Sequence, residues 1–340
     1  MRHRLRLGDG RRPREAGLSL RTALVLGAGG TVGMAYHAGV LRALEEVGGF
    51  RPDDADLVIG TSAGSMVGAM VRSGIGTEDL YRASLGEHPD LGLEPEGASP
   101  WQAVWESPFD VARRVIGSLY VLQRSALRVP MPHLPAGLRR AFPGGFFTIA
   151  EAEDTLATVM PTTWPAKPLW LVTVDVGTGR RVVLGRRNPP RTDLHTAVMA
   201  SCAIPAFFTP QRVGRRTLVD GGVHSTTNLD LATKISPDVI VAVVPMGYDD
   251  VAPPGVVERI ARNRAMHTLR REIGQAERGG ARVLSLQPTE RDLHAFGGMN
   301  MMRRQGNEQV TRIAYESAAE RLARSDARDL LDEVRHHQPA

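Results

Sequence analysis

The sequence predicts an α/β fold of three layers, in which helices cover both faces of a mostly parallel central sheet. Short apolar runs alternate along the chain with longer amphipathic segments, the pattern of strands separated by helices. The run at residues 23–26 has no polar position, which is typical of a strand buried on both faces. Glycine and proline, at 36 and 23 of the 340 residues, suit a fold with many tight turns.

These runs give the individual elements. We predict strands at residues 23–26, 57–59, 169–176, 181–184, 217–219, 239–244 and 282–286. We predict helices at residues 34–47, 63–71, 109–122, 150–160, 194–201, 256–277 and 307–333. The alternation breaks between about residues 85 and 147, where eight prolines surround one amphipathic piece. We interpret this stretch as an inserted helical cap.

Charge and cysteine content limit the environment and the partners. The formal net charge is +5, but much of the excess lies in an arginine-rich stretch at residues 1–20, which we interpret as a disordered basic tail. That distribution does not predict a nucleic-acid groove, although weak contact with anionic lipid stays open. The tail lacks the apolar core of a signal peptide, and no segment is apolar for long enough to cross a bilayer. With Cys202 as the single cysteine, we expect a cytoplasmic protein, with peripheral contact at the inner membrane face as an alternative.

The first candidate for chemistry is the run Gly60-Thr61-Ser62-Ala63-Gly64, a G-x-S-x-G pattern. It directly follows a predicted strand and directly precedes a predicted helix, which is the context of a nucleophile elbow. Its glycines permit a cramped turn that lifts the serine hydroxyl clear of the backbone, at the positive end of the helix. The alternative is an ordinary tight turn in which the serine only caps the helix.

The second candidate is the glycine-rich turn of residues 27–33, again between a predicted strand and a predicted helix. Such a turn leaves backbone N–H groups free to stabilise a negative oxygen, as in the tetrahedral intermediate of acyl transfer. A dinucleotide pyrophosphate is the alternative ligand. Against it, the G-x-G-x-x-G register that ends at Gly33 begins with Ala28, and no second strand ends in an acid at the expected distance.

The third candidate is Asp220, which ends a predicted strand and precedes a glycine pair. Alone, Asp-Gly is a favoured turn dipeptide. Beside a serine elbow and a turn of free amides, the carboxylate supplies the base that an alcohol nucleophile needs at neutral pH.

Taken in this order, the three motifs resemble those of the patatin-like phospholipases. Two flanking stretches, Tyr-His-Ala-Gly-Val-Leu at 36–41 and Ala-Ser-Cys-Ala-Ile-Pro-Ala-Phe-Phe-Thr-Pro at 200–210, are similar to bacterial members. The likeness covers roughly residues 22–238. It implies a patatin-like catalytic domain at 21–290 that contains the cap, followed by a helical segment at 291–340 packed on the domain.

The resemblance also implies the chemistry. It assigns a Ser62–Asp220 dyad and an oxyanion hole made by the amides of Gly29, Gly30 and Thr31. The implied activity is hydrolysis of lipid carboxylic esters, of phospholipase A, lysophospholipase or carboxylesterase type, with no cofactor. The glycines expected to support these motifs are Gly27, Gly33, Gly60, Gly64, Gly221 and Gly222.

In the glycine-rich turn, the sequence departs from the family pattern. The family usually has glycine where Ala28 stands, and arginine or lysine where Val32 stands. Alanine is a small change. Valine removes a cation beside the oxyanion site, which leaves open how the hole is supported and whether a phosphate head group is preferred over a neutral ester.

Several alternatives stay open at this point. A Ser-His-Asp triad of the α/β-hydrolase type would need a histidine after the acid, and His224, His267 and His294 are available. His37 and His195 are better interpreted as helix-surface or packing residues. A non-catalytic lipid-binding protein is a further alternative. No His/Cys/Asp/Glu cluster has metal-ligand spacing, so no metal is expected, and the oligomeric state is open.

Overall fold

The computed structural model describes residues 20–89, 91, 101–104, 107–123, 144–149, 156–157, 159–186, 190–253 and 255–336. All but the last residue of the predicted basic tail lies outside these ranges. So do most residues of the predicted helix at 150–160. No helix within the described ranges is both long and apolar enough to span a bilayer.

The described chain alternates strands and helices. Its strands are β1 (Thr22–Leu26), β2 (Leu57–Gly60), β3 (Trp101–Ala103), β4 (Phe147–Ile149), β5 (Leu169–Asp175), β6 (Arg181–Leu184), β7 (Gln211–Val213), β8 (Arg216–Asp220), β9 (Val239–Val243) and β10 (Arg282–Leu286). Its α-helices are α1 (Gly30–Glu46), α2 (Ala63–Arg72), α3 (Thr77–Ser84), α4 (Pro108–Leu122), α5 (Leu194–Ser201), α6 (Val256–Arg278), α7 (Glu290–Phe296), α8 (Asn307–Leu322) and α9 (Ser325–His336).

The central sheet has the strand order β10-β9-β1-β2-β5-β8-β7, and β6 also pairs with β5. The five strands from β10 to β5 are parallel to one another, whereas β6, β7 and β8 run antiparallel to their neighbours. The predicted α/β class with a mostly parallel central sheet is confirmed.

The alternating side chains of β1 show how the sheet becomes the middle of three layers. Leu24 and Leu26 join a buried cluster with α1, α2 and α8, while Ala23 and Val25 join a second cluster with α6. Successive side chains of a strand point to opposite faces. Both faces of the sheet are therefore covered, which explains the unbroken apolar run in the sequence.

The edges of β5 determine where the candidate site forms. One edge is taken by β6, which pairs from Leu171 to Val174. On the other edge, Gly60 at the end of β2 pairs with Leu171, and Asp220 at the end of β8 pairs with Thr173. Because β2 is parallel and β8 antiparallel to β5, the two strands run toward each other and end nearly tip to tip.

The helix predicted within the cap is α4, which adjoins the open end of β5. Ser107 caps it by accepting a hydrogen bond from the Asp110 amide at 3.2 Å. Val121 packs in a buried cluster with Val174 and Val219. The strands β3 and β4 pair as an antiparallel ribbon in the same stretch. The cap boundaries at 85 and 147 stay predictions.

Two helix boundaries differ from the sequence prediction. Helix α1 begins at Gly30 and not at residue 34, because the glycine-rich turn itself supplies its first residues. The predicted helix at 307–333 is two helices, α8 and α9, with Ala323 ending the first. No glycine or proline marks this break. It lets α9 turn, so that Leu331 packs against Gly48 beyond the end of α1.

Candidate active site

Ser62 lies at the turn between β2 and α2 in a conformation that few side chains adopt. Its backbone has φ 54° and ψ −121°, and the residue occupies the N-cap position of α2 without a side-chain capping hydrogen bond. A non-glycine residue at positive φ costs on the order of 1–3 kcal/mol and persists only where the surroundings impose it. The turn therefore has the strained geometry expected of a nucleophile elbow.

The glycines on either side of Ser62 are required by close backbone contacts. A Cβ atom at Gly60 would lie 2.5 Å from the Gly64 carbonyl oxygen, and a Cβ at Gly64 would lie 2.0 Å from the Leu26 carbonyl oxygen. Both distances are far below van der Waals contact. The G-x-S-x-G pattern thus reflects the packing of the elbow against the end of β1.

The carboxylate of Asp220 lies beside Ser62 and is buried, with the residue only 5% exposed. Burial raises the pKa of Asp220 to about 6, while hydrogen bonds from the Ser62 hydroxyl and the Gly222 amide act in the opposite direction. The Gly222 amide donates to Oδ1 at 2.7 Å. Since an ionised carboxylate is disfavoured away from water, this group is tuned toward neutral pH.

At the short gap between the ends of β2 and β8, Ser201 at the end of α5 joins the elbow to β5. The Ser62 amide donates to Ser201 Oγ at 3.1 Å, and Ser201 Oγ donates to the Val172 carbonyl oxygen at 2.7 Å. Val172 is the β5 residue between the partners of Gly60 and Asp220. Ser201 was not predicted as a site residue, although it lies in the flanking stretch at 200–210.

Asn228 ties the elbow to the loop after β8, and sequence reasoning missed it too. Its Nδ2 atom donates to Thr61 Oγ1 at 3.1 Å and to the Ser225 carbonyl oxygen at 2.6 Å. Its Oδ1 accepts from Arg181 at 3.0 Å, and its backbone is left-handed, with φ 54°. A pattern of single residues gives no signal for such a bridge, because its partners are distant in sequence.

The glycine-rich turn leaves three amides pointing away from the main-chain network. The Gly27 amide donates to Val243 O at 3.0 Å and the Ala28 amide to Thr226 O at 2.7 Å. Within the described residues, the amides of Gly29, Gly30 and Thr31 have no hydrogen-bond acceptor. Free amides at the start of a helix form an anion-binding position.

All three turns meet at one place. A Cβ atom at Gly222, next to Asp220, would lie 3.4 Å from Ala28 Cβ in the glycine-rich turn. A Cβ at Gly33 would lie 3.7 Å from Ala63 Cβ, directly after Ser62. The structure therefore brings together the serine, the carboxylate and the turn of free amides that the sequence singled out.

Of the six supporting glycines, five have close neighbours. A Cβ at Gly221 would lie 2.5 Å from the Val172 carbonyl oxygen, and a Cβ at Gly27 would lie 3.2 Å from the carbonyl oxygens of Thr226 and Val243. A Cβ at Gly222 would lie 3.0 Å from Asp220 Oδ1, and those at Gly60 and Gly64 have the close contacts given above. Gly33 differs, since a Cβ there makes only ordinary contacts.

His37 contacts the glycine-rich turn from inside the core. Its side chain is fully buried on α1, and its Nε2 lies 2.8 Å from the Gly27 carbonyl oxygen. Burial lowers the pKa of His37 to about 4, so the ring is neutral and Nε2–H donates to Gly27. The interpretation of His37 as a helix-surface or packing residue is therefore incomplete, because the ring also fixes the position of the turn.

Val32 and Arg262 are both buried near the glycine-rich turn, but they lie on different helices, α1 and α6. Val32 is fully buried. Arg262, on α6, is also fully buried and donates to Glu258 at 2.8 Å and to the Pro245 carbonyl oxygen at 2.8 Å. Pro245 packs against the turn, since a Cβ at Gly29 would lie 2.8 Å from Pro245 Cβ. A buried cation thus supports the loop behind the free amides.

The histidines of the triad alternative are His224, His267 and His294. The hydrogen bonds that act on the Asp220 carboxylate come from the Ser62 hydroxyl and the Gly222 amide. His267 and His294 are exposed on α6 and α7. No group of histidine, cysteine, aspartate and glutamate side chains in the described part of the chain is arranged to hold a metal ion.

Solved structures with some similarity include VipD from Legionella pneumophila, at a TM-score of 0.41 and 14% identity, covering 92% of this chain and 67% of that chain. The type III effector protein ExoU is similar at a TM-score of 0.33 and 16% identity, covering 95% of this chain and 55% of that one.

Sequence relatives include uncharacterized NTE family proteins of Mycobacterium bovis and Mycobacterium tuberculosis. Each is 28% identical over 227 residues, which is 66% of this chain and 49% of the relative. The chain thus spans about half the length of the curated relatives that it matches. A family model, described as patatin-like phospholipase, matches residues 24–233, more than half of the chain and all three motifs. The chain belongs to the patatin-like phospholipase family.

Proposed function

We propose that this protein hydrolyses carboxylic esters of lipids, with Ser62 as nucleophile and Asp220 as its base. The observation that carries the proposal is the pair itself: a serine in a strained elbow beside a buried carboxylate whose pKa burial raises to about 6. Membership of a phospholipase-like family favours a lipid substrate. A base with a pKa near the working pH is the most effective proton acceptor for an alcohol.

In the first step, the Ser62 oxygen attacks the ester carbonyl carbon and its proton passes to Asp220. The new bond joins Oγ to the carbonyl carbon, and the carbonyl π electrons move to the oxygen, which becomes an oxyanion. We assign the stabilisation of this charge to the amides of Gly29, Gly30 and Thr31. Loss of one such donor typically costs about a hundredfold or more in rate.

The intermediate then collapses and the bond to the leaving alcohol breaks. Asp220 returns its proton to the leaving oxygen, and an acyl-serine remains. Water attacks that acyl group in the second half, again giving a proton to Asp220, which passes it to Ser62 as the acid departs. One carboxylate therefore acts as base and acid in turn, and the dyad needs no histidine.

Val32 is relevant to which lipid head group the site prefers. A fully buried valine supplies no positive charge next to the free amides. The phospholipase A, lysophospholipase and carboxylesterase types therefore all stay within the proposal. Binding of a phosphate group is not required for the ester chemistry, because the reacting groups act only on the acyl carbonyl.

The test is a chain-length series of p-nitrophenyl esters on wild type, Ser62→Ala and Asp220→Asn. We expect wild type to hydrolyse some chain lengths and both variants to lose at least about a thousandfold in kcat/KM. Phospholipid and lysophospholipid substrates on the same three proteins then separate the types. No hydrolysis of any ester by folded wild type would favour the non-catalytic lipid-binding alternative.

A further inference from the structure

The first turns of α6 present large apolar side chains to solvent. Val256 is 61% exposed, Val257 is 74% exposed and Ile260 is 66% exposed. We call these three residues the α6 apolar patch. A contiguous group of exposed apolar side chains on a stable domain usually marks a site of contact with a partner or a membrane.

The α6 apolar patch lies at the same edge of the sheet as Ser62, the edge formed by the carboxyl ends of the parallel strands. β9 and β2 are both parallel to β1, so their carboxyl ends lie at one edge, and α6 follows β9. Arg262, one turn after the patch, anchors α6 to the carbonyl oxygens of Pro245 and Gly247. Pro245 in turn packs against the turn of free amides at Gly29. The helix that bears the patch is therefore linked through Arg262 and Pro245 to the turn that contains Gly29.

A second exposed apolar surface lies on the opposite side of Ser62. On α4, Phe109 is 73% exposed, Ile116 is 53% exposed and Leu119 is 59% exposed. This helix packs through Val121 on the carboxyl end of β5, whereas α6 follows β9 two strands beyond β2 in the other direction. Apolar side chains thus flank the serine on both sides at one edge, which suits a broad surface better than a narrow groove.

The charges along α6 favour an anionic surface. Glu258, near the patch, is buried and accepts a hydrogen bond from Arg262. Glu272, further along the helix, is buried and accepts one from Thr227. In the described part of the chain, five exposed arginines of α6 form no ion pair: Arg259, Arg264, Arg270, Arg271 and Arg278. The exposed acids of this helix and the loop before it are Asp249, Asp250 and Glu277. Cations therefore exceed anions on this surface, and they follow the apolar patch along the helix.

We propose that this edge docks on a bilayer that contains anionic lipid, with the α6 apolar patch inserted among the acyl chains and with Arg259 and Arg264, the exposed arginines of α6 nearest the patch, at the head groups. Apolar tips with cations alongside are the composition of peripheral membrane contacts. Nucleic acid would pair with the arginines but would place its phosphates against the apolar side chains of the α6 apolar patch. The inference rests on the proposed function, since docking at this edge delivers ester lipids to Ser62.

The test is co-flotation of the whole chain with vesicles of equal parts phosphatidylcholine and phosphatidylglycerol. We expect wild type to float with the vesicles, and the double variant Val257→Asp, Ile260→Asp to bind at least about tenfold more weakly. The matched control is Val47→Asp, because Val47 is 46% exposed and caps the C-terminal end of α1, whereas the glycine-rich turn lies at the N-terminal end. Control and wild type should bind equally, and thermal unfolding of each protein verifies that it is folded.

Single charge removals refine the test. Arg259→Ala and Arg264→Ala should each weaken binding to the anionic vesicles about fivefold, and should have little effect with phosphatidylcholine alone. Arg328→Ala is the control, since Arg328 is exposed on α9 and has no ion pair among the described residues. Equal losses at Arg328 would contradict a surface localised on α6.

Two outcomes overturn the proposal. One is equal vesicle binding by wild type and the double variant, or no binding by either. The other is a concentration-dependent dimer, seen by sedimentation, which the double variant abolishes, because the patch would then join two copies of the chain. Ser62→Ala should still bind vesicles. If wild type binds vesicles but hydrolyses no ester, docking stands and the proposed catalytic function fails.

Discussion

Inside the core, the Nε2 atom of His37 lies 2.8 Å from the carbonyl oxygen of Gly27, which precedes it by ten residues in the chain. This contact joins α1 to the turn that begins it. The ring is neutral, because burial lowers the pKa of His37 to about 4. Its Nδ1 atom has no partner among the described residues, so the single donated hydrogen bond holds the ring in place.

We predict that His37→Phe slows ester hydrolysis by about tenfold or more, chiefly through kcat. The variant removes the donor to the Gly27 carbonyl and leaves a buried acceptor unpaired, which typically costs about 1–3 kcal/mol. The turn of free amides should then shift relative to Ser62. His37→Gln retains a donor and should recover part of kcat. If both variants change only thermal stability and leave kcat intact, His37 has no positioning role.

Asp220→Asn should stabilise the fold at neutral pH while it abolishes hydrolysis. Burial raises the pKa of Asp220 to about 6, above its ordinary 3.8, so the folded state binds the proton more tightly than the unfolded state. Stability attributable to this group is therefore lost as pH rises from about 4 through about 6. Replacing the ionised carboxylate with a neutral amide should gain roughly 1–3 kcal/mol at about pH 8.

Thermal or urea unfolding at about pH 8 and about pH 4 measures this effect. The stability difference between Asp220→Asn and wild type should be largest at the higher pH and should nearly vanish at the lower. A variant that is less stable than wild type at both pH values would show that the carboxylate contributes more by its hydrogen bonds than it costs by its charge.

The rate should depend on the same proton. Below about pH 6, kcat/KM for a soluble ester should fall about tenfold per pH unit, because only ionised Asp220 can accept the Ser62 proton. Above that value the rate should level off. Initial rates with an ester whose product absorbs at all pH values check this. A profile that bends near pH 7 and follows a histidine instead would favour the triad alternative.

Gly64→Ala should prevent the elbow from forming. Its Cβ would lie 2.0 Å from the Leu26 carbonyl oxygen, so β1 and α2 would have to separate. We expect a loss of at least about 3 kcal/mol in stability, or failure to fold. Gly76→Ala is the matched control, because Gly76 has φ −69° and its Cβ would meet only an ordinary contact at 3.4 Å. Equal effects at both positions would refute the packing account of the motif.

The sequence predicts the parts of this molecule that local pattern controls. The elbow at Gly60 to Gly64 can be predicted, because a cramped turn between a strand and a helix needs small residues at fixed spacing. The free amides of the glycine-rich turn can be predicted for a similar reason. Asp220 is recognised only in combination, since an Asp-Gly turn is common and its meaning depends on the other two motifs.

Long-range contacts could not be predicted in the same way. Ser201, Asn228 and Arg262 act through hydrogen bonds to residues more than ten positions away, and nothing in their immediate sequence marks these partners. The tip-to-tip meeting of β2 and β8 likewise depends on antiparallel pairing at the far end of β5. Periodicity indicates that a strand is present but not the direction in which it pairs.

The central claim is that Ser62 is the nucleophile, and covalent labelling measures it most directly. Folded wild-type protein is treated with a fluorophosphonate, digested and mapped by mass spectrometry, beside Ser62→Ala and Asp220→Asn. The account predicts one adduct, on the peptide that contains Ser62, with slow labelling of Asp220→Asn and none of Ser62→Ala. Labelling of Ser62→Ala at the wild-type rate, or an adduct on another serine, would contradict it.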